Sequence, residues 1–312
     1  MDNCKLAIVI PYYKASFFDE LLNALDQQSN RNFNLYIGDD YSPDHPDSII
    51  KKYSDAINIT YHRFPDRLGH ISLARQWQRC LDLVKDEEWV WILPDDDLPS
   101  SNCVEEFYQA LQSDQINNIN VIRFPLNIID QDGILIKKAN QNPVTENNYQ
   151  FYSRLIRGET EASLGDNIFR VSSLAGSDGI PDFPEAWGSD HAMILRASSG
   201  GLIYNLNNAT FNFRMSNENI SSRNMDGSKK MQARITFANW LKNNEDIFPE
   251  KPDMEFYKYF YWKGEHYVMH EWLFSISAWI GLYKLKYICT GSGNPLPVLN
   301  LLFTYLVAKI TH

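Results

Sequence analysis

The chain lacks most of the features that would assign it quickly to a binding class. It has four cysteines in 312 residues, Cys4, Cys80, Cys103 and Cys289. They lie far apart and form no CxxC pair, which argues against a zinc site and against a disulfide framework. No run of about 18 apolar residues occurs, so no membrane-spanning helix is expected. Positive charge is in deficit: 29 Lys and Arg against 39 Asp and Glu leave a net charge of −10. No nucleic-acid partner is expected on that balance. No GxGxxG follows the first apolar run, which disfavours a dinucleotide-dependent dehydrogenase. Met1-Asp-Asn-Cys-Lys5 has no basic n-region or cleavage site, so no secretory signal is expected and reduced thiols fit a cytosolic protein.

What the chain does have is Trp89-Val-Trp-Ile-Leu-Pro-Asp-Asp-Asp-Leu-Pro99. Five apolar residues, Trp89 to Leu93, predict a strand buried on both faces. Asp95, Asp96 and Asp97 then follow its carboxyl end, where open α/β sheets bind ligands. Three adjacent carboxylates repel one another unless water or a cation relieves them, and oxygen ligands suit Mg²⁺ or Mn²⁺. A solvated acidic turn is the plain alternative.

The rest of the first half repeats this arrangement. Leu6-Ala-Ile-Val-Ile-Pro11 reads as a strand closed by Pro11. Phe18, Leu21, Leu22 and Leu25 mark an amphipathic helix, with Ser16 a candidate N-cap. Strands are expected at 33–38 and 57–61, with helices from Pro46 and over roughly 70–85. Acidic residues follow two strands, placing Asp39, Asp40, Asp95, Asp96 and Asp97 along one sheet edge. Further on come a helix through Val104, Phe107 and Leu111, a strand at 120–124 and a hairpin turning at Asp132-Gly133. Residues 139–150, rich in Asn and Gln, read as a loop, 167–172 as a strand, and 176–184 as a long loop. Alternating strands and helices mean βαβ units and a mainly parallel sheet flanked by helices. From about 231 the strands stop and aromatic residues crowd the sequence. We therefore expect a catalytic domain over 1–230 and a mostly helical C-terminal extension over 231–312.

These pieces together resemble the inverting family 2 glycosyltransferases of the GT-A (Rossmann-like α/β) fold. Ile10-Pro-Tyr-Tyr-Lys14 is similar to the family's P-x-Y-N, with Lys14 replacing Asn. Ile37-Gly-Asp-Asp-Tyr-Ser-Pro-Asp44 is similar to V-D-D-x-S-x-D, and Leu93-Pro-Asp-Asp-Asp-Leu98 to the D-x-D region. Trp187-Gly-Ser-Asp190 falls where the family has its activating acid. Phe213-Arg-Met-Ser-Asn-Glu-Asn-Ile-Ser221 resembles the late Y-R-x-H…S segment. Arg67-Leu-Gly-His-Ile-Ser-Leu-Ala-Arg75 stands in for N-x-G…A-R-N and departs from it, which leaves Arg67 and Arg75 without assigned roles.

The resemblance implies a metal-dependent hexosyltransferase. It would move a sugar from a nucleotide-diphosphate donor, UDP-hexose or UDP-N-acetylhexosamine, to a glycan or polyprenyl-linked saccharide in O-antigen or capsule synthesis. Pro11 and Tyr13 would line the base pocket, Asp40 would accept from uracil N3–H, and Asp66 would also reach the base. Asp95 and Asp96 would contact ribose or metal-bound water. Asp97, with Asp95, would ligate Mn²⁺ or Mg²⁺, and Arg214 would bring a second cation to the diphosphate from a closing loop. Asp190 would be the catalytic base, with Glu185 and then Asp182 behind it; the alternative makes Asp190 the N-cap of a helix beginning at His191. A different reading of the whole is a non-catalytic nucleotide- or carbohydrate-binding module with a structural cation site. A sugar-nucleotide-forming nucleotidyltransferase is disfavoured because Pro11-Tyr-Tyr-Lys-Ala-Ser lacks glycine.

His266 and His270 have helical metal-ligand spacing but no accompanying glutamate, so packing is expected of them. The apolar run Leu296–Ala308, with Lys284, Lys286 and Lys309 nearby, is too short to span a bilayer. It is expected either to pack on the catalytic domain or to lie at the inner membrane surface as a peripheral contact. Action in the cytoplasm is expected.

Overall fold

The computed structural model describes residues 4–174, 179–216, 227–270, 276–295 and 298. For 227–228, 263–270 and 276–279 it describes the backbone alone. The chain opens with β1 (Leu6–Tyr12), α1 (Phe18–Asp26), β2 (Asn34–Asp39), α2 (Asp47–Tyr53), β3 (Asn58–Arg63), α3 (Leu73–Leu81) and β4 (Trp89–Ile92). The short β5 (Leu98–Pro99), α4 (Cys103–Ala110), β6 (Ile119–Arg123), β7 (Leu126–Ile129) and β8 (Leu135–Lys137) follow. Then come β9 (Thr145–Glu146), α5 (Asn148–Arg157), β10 (Asn167–Arg170), α6 (Val171–Leu174), α7 (Ser189–Ala197), β11 (Leu202–Asn205) and β12 (Phe211–Arg214). Among the described residues three further helices follow, α8 (Gly227–Asn243), α9 (Met254–His270) and α10 (Ile276–Thr290).

Two sheets result. The large one has eight strands in the order β3-β2-β1-β4-β10-β6-β11-β9 and the small one four, β5-β12-β7-β8. β1 to β4 are mutually parallel, and β10 enters antiparallel between β4 and β6. Alternation along β1 sends Ala7 and Val9 to one face and Leu6, Ile8 and Ile10 to the other. The first face carries the helices α3, α5, α7 and the C-terminal helices, whose residues Met231, Phe237, Phe256, Phe260, Leu282 and Leu285 join the same core. The second carries α1, α4 and the small sheet.

Two features of this arrangement position the site. β1 has β2 on one side and β4 on the other, so the strand order reverses there, the place where open sheets leave a crevice at their carboxyl ends. β4, β6 and β11 of the large sheet also each lead, within a few residues, to β5, β7 and β12 of the small one. The acidic turn is the first of these crossings. Pro99 is tolerated just after it because β5 is an edge strand.

Several expectations need correction. β1 runs to Tyr12, one residue past Pro11. α1 takes Phe17 rather than Ser16 as its N-cap, with no side-chain cap bond. The polar stretch 139–150 contains β9 and the start of α5: Asn147 and Gln150 form a reciprocal capping box, so its polarity marks a helix entrance. The division expected at 230/231 falls inside α8. The side chains of His266 and His270, and all of 296–308 except Val298, lie outside the described residues.

Gly165 sets one packing constraint on the acidic turn. It accepts a 2.6 Å bond from Trp91 Nε1 at its carbonyl. A Cβ there would lie 2.2 Å from Phe211 Cζ and 2.9 Å from Pro94 Cδ. Gly165→Ala is therefore expected to lower unfolding free energy by about 1–3 kcal/mol, as overpacking does; an unchanged denaturation midpoint would show that Phe211 and Pro94 yield without strain.

Candidate active site

Two acidic turns flank the end of β1. At the first, Asp39 is fully buried: Oδ1 accepts from Ser42 N at 2.7 Å, and Oδ2 from Tyr61 Oη and Arg63 Nη1, both at 2.6 Å. Asp39 therefore holds β2 and β3 together. Asp40 Oδ1 accepts from Leu68 N at 2.7 Å and Arg79 Nη2 at 2.6 Å, and Oδ2 accepts from Gly69 N at 2.9 Å. Gly69 is needed for this approach, since a Cβ would meet Asp40 Oδ2 at 2.7 Å. A carboxylate offers about four lone-pair sites, so Oδ2 retains room for one donor from a ligand.

Arg79, in the last turn of α3, was not singled out from the sequence. It reaches Asp40, the side chain and carbonyl of Asp66, and the face of Phe64 at 4.0 Å. It thus brings Asp40 and Asp66 together, although the Asp66 side chain is 66% exposed. Nothing in the local sequence separates Arg79 from an ordinary helix-end arginine. Arg67 lies 4.3 Å over the Tyr13 ring, which places it beside the expected base pocket. Arg75 is exposed on α3.

The second acidic turn is anchored on both sides. Asp95 Oδ2 accepts the backbone N–H groups of Tyr13 and Lys14, each at 2.9 Å, fixing the end of β1 against the end of β4. Asp97 is buried and its Oδ1 accepts the Arg214 N–H at 2.8 Å. Its Oδ2 is buried and has no hydrogen-bond partner among the described residues. Arg214 differs from expectation. It sits on β12 rather than a closing loop, is 1% exposed, and donates to the Asp96 carbonyl, the Gln131 carbonyl and Glu20. The guanidinium also lies 4.4 Å over the Phe17 ring. The protein thus spends Arg214 on its own acidic turn.

Burial raises the pKa of all three carboxyls, and repulsion from Asp95 pushes Asp96 further, to about 7. Among the described residues no three His, Cys, Asp or Glu side chains converge as a metal-holding group. Mg²⁺ and Mn²⁺ do not require such a cage, being held through one or two carboxylates plus substrate phosphates. An unpartnered buried oxygen on Asp97, beside two carboxylates that disfavour their own charge, is a donor set that fits a divalent cation.

The other candidate carboxylates lie on the loop before α7 and in its first turn. Asp190 is the second residue of that helix and its Oδ1 faces its neighbour His191 N at 2.8 Å. The helix begins at Ser189 with Gly188 (φ 89°) as its N-cap, so the expected capping role for Asp190 at a helix starting from His191 is wrong. Glu185 is ion-paired with Lys229 of α8 at 3.0 Å, and Asp182 accepts from Ser72 Oγ at 2.6 Å. Ser72 is also the N-cap of α3. The loop is therefore pinned to α3 on one side and α8 on the other, and its competing carboxylates are engaged in holding it. Glu185 and Ala186 have φ of 56° and 55°, a left-handed conformation that costs about 1–3 kcal/mol per non-glycine residue and persists only where surroundings enforce it.

A pH dependence follows from Asp96. Its ordinary pKa is 3.8 and its folded value about 7. Between these the folded protein binds more protons than the unfolded chain, so this group lowers stability as pH rises through the window. The penalty is complete above about 7 and absent below about 4. Asp96→Asn is expected to melt higher than the parent at about pH 8 in EDTA and to lose that advantage near pH 4. Parallel melting curves at both pH values would contradict the electrostatic strain.

Comparison with known proteins agrees with this architecture. Residues 7–160 match the sequence profile described as Glycosyl transferase family 2. No curated protein matches the sequence. Among solved structures, residues 1–349 of S. aureus TarS in complex with UDP-GlcNAc superpose with a TM-score of 0.69 at 15% identity, covering 96% of this chain and 84% of that one. The same fragment with UDP gives 0.64 at 16% identity, covering 96% and 83%. The mannosyltransferase PcManGT from Pyrobaculum calidifontis, in complex with GDP-Man and Mn²⁺, gives 0.55 at 14% identity, covering 98% and 80%. At these identities the superpositions establish a shared fold. The family profile covers residues 7–160, the part of the chain that carries both acidic turns, so that region is a glycosyl transferase family 2 region, and the chain has the GT-A fold.

Proposed function

We propose that the chain is an inverting, metal-dependent hexosyltransferase that uses a UDP-sugar and extends a glycan or polyprenyl-linked saccharide in surface-polysaccharide synthesis, acting at the cytoplasmic side. The observation that carries the reading is the acidic turn: three neighbouring carboxylates, one oxygen orphaned, at the switch point of a family 2 fold. A UDP donor is favoured because the TarS fragment binds UDP-GlcNAc and UDP. PcManGT binds GDP-Man with Mn²⁺, so the sugar and even the base are open to direct test.

In this reading the uracil lies by Pro11 and Tyr13, with its N3–H donated to Asp40 Oδ2. Arg67 and Arg79 border the pocket, and Asp66 contributes through Arg79. Asp96 and Asp95 face the ribose and phosphates. Asp97, with Asp95, would hold the cation, which when bound neutralises charge growing on the leaving diphosphate. Arg214 keeps that turn in place. Asp190 takes the proton of the acceptor hydroxyl as its oxygen bonds to the sugar's anomeric carbon. The bond from that carbon to the diphosphate breaks, and its electron pair leaves with UDP. One displacement inverts the configuration. Asp190 is preferred because Glu185 and Asp182 are already bonded to Lys229 and Ser72.

Three experiments test this. Calorimetric titration with UDP should show tighter binding in Mn²⁺ or Mg²⁺ than in EDTA, with Asp97→Asn removing most of the difference. Equal affinity in both would refute the cation site. Asp190→Asn should lower kcat by about 10²-fold or more while leaving UDP affinity and melting temperature nearly unchanged. Near-normal turnover would move the base to Glu185, with Glu185→Gln the deciding variant. Donor hydrolysis in the absence of acceptor separates this enzyme from a binding module.

A further inference from the structure

We propose that the outward face of α10 docks on an anionic lipid bilayer. The helix packs inward through Gly281, Leu282, Leu285 and Cys289, all buried. Gly281 allows this contact, since a Cβ there would lie 2.2 Å from Met231 Cγ of α8. A surface helix packed this way ordinarily presents charged and polar residues outward. This one presents Ile280 at 54% exposure, Lys284, and Tyr287 at 58%, with Tyr283 half-buried beside them. Positions 280, 283, 284 and 287 share one helical face. Aliphatic, tyrosine and lysine side chains together are the composition of helices that lie in the headgroup region, rings at the boundary and ammonium groups outward.

Charge separates a lipid surface from a protein partner here. Residues 272–312 contain no Asp or Glu and three lysines; Lys284 lies on this face, Lys286 is buried and donates to the Asn294 carbonyl, and Lys309 is outside the described residues. Residues 1–271 hold the remaining 26 Lys and Arg and all 39 Asp and Glu, a net of −13. A part so acidic carries a net charge that opposes an anionic surface, and this segment does not. One basic, carboxylate-free segment would therefore orient the protein as well as attract it. No helix among the described residues is long and apolar enough to cross a membrane, so the contact would be peripheral. Two alternatives are a second copy of the chain and the apolar segment after Val298 folding back on this face.

Vesicle flotation of the full chain decides among these. We expect flotation with vesicles holding about 30 mol% phosphatidylglycerol, little with phosphatidylcholine alone, and loss of flotation between about 0.05 and 0.5 M salt. Lys284→Glu should weaken partitioning by about 10-fold or more, and Tyr287→Ser should weaken it on its own. Each variant should keep the parent's melting shift with UDP, which shows that it is folded. Three results would overturn the proposal: no flotation, equal flotation on both vesicle types, or flotation indifferent to both substitutions. A dimer that Tyr287→Ser dissolves, without flotation, would assign the face to a second copy. None of these outcomes bears on the transferase reading, which rests on the opposite part of the sequence.

Discussion

The hydrogen bond from the Arg214 backbone N–H to Asp97 Oδ1 ties the acidic turn to the small sheet, and the geometry of the site depends on it. A hydrogen bond contributes about 0.5–1.5 kcal/mol net. The Arg214 guanidinium extends the tie to the Asp96 carbonyl, the Gln131 carbonyl and Glu20 on α1. On the other side Asp95 gathers the two N–H groups that follow β1. A turn whose three carboxylates repel one another would otherwise open toward water. Held from both sides, it keeps them together where burial makes their charge costly. The resulting electrostatic strain is what a cation would relieve.

The same principle governs the neighbouring crossing from the large sheet to the small one. There Arg123, at the end of β6, pairs with Asp166 at 2.8 Å, both fully buried, with Arg123 also stacked on Phe151. Breaking one partner of such a pair costs about 3–5 kcal/mol. It fixes the start of β10, and Gly165 just before it supports Pro94 and the acidic turn. Polar ties of this kind occupy the carboxyl edge, where strands leave the hydrophobic sandwich and backbone groups need partners. The apolar clusters on the two faces provide the rigidity behind them.

The sequence reveals the buried strands and the amphipathic helices because burial imposes a period. β1, β2 and β4 are apolar runs, and α1 repeats Phe18, Leu21, Leu22 and Leu25 on one side. The acidic turns are legible because they interrupt those runs. The helix α5 is not, because its entrance is written in Asn and Gln, the same letters as a loop. Arg79 and Arg214 are harder still. Whether an arginine serves the ligand or the scaffold is set by what lies 39 or 118 residues away in sequence and next to it in space. Arg214 resembles a family position closely enough to suggest a role on the diphosphate, yet the structure gives its guanidinium to the protein. The C-terminal boundary is read from composition alone. Composition changes near 231, while α8 begins before that point and its Lys229 pairs with Glu185 of the loop that leads to Asp190.

The distribution of charge around the pocket makes a final point about the donor. Arg63 is matched by Asp39, Arg79 by Asp40 and Asp66, and Arg214 by Glu20. These three arginines each meet a carboxylate of the same chain, whereas Arg67 lies over the Tyr13 ring. Such pairing orders loops well but leaves little net positive charge to meet a diphosphate. In a protein of net charge −10, an anionic donor would approach against the field of the whole molecule. A divalent ion at the acidic turn reverses that local field, since a bound ion is the largest charge in such a site. On the function proposed above, pairing these arginines internally and concentrating unrelieved carboxylates at one turn would make affinity for the donor depend on the metal.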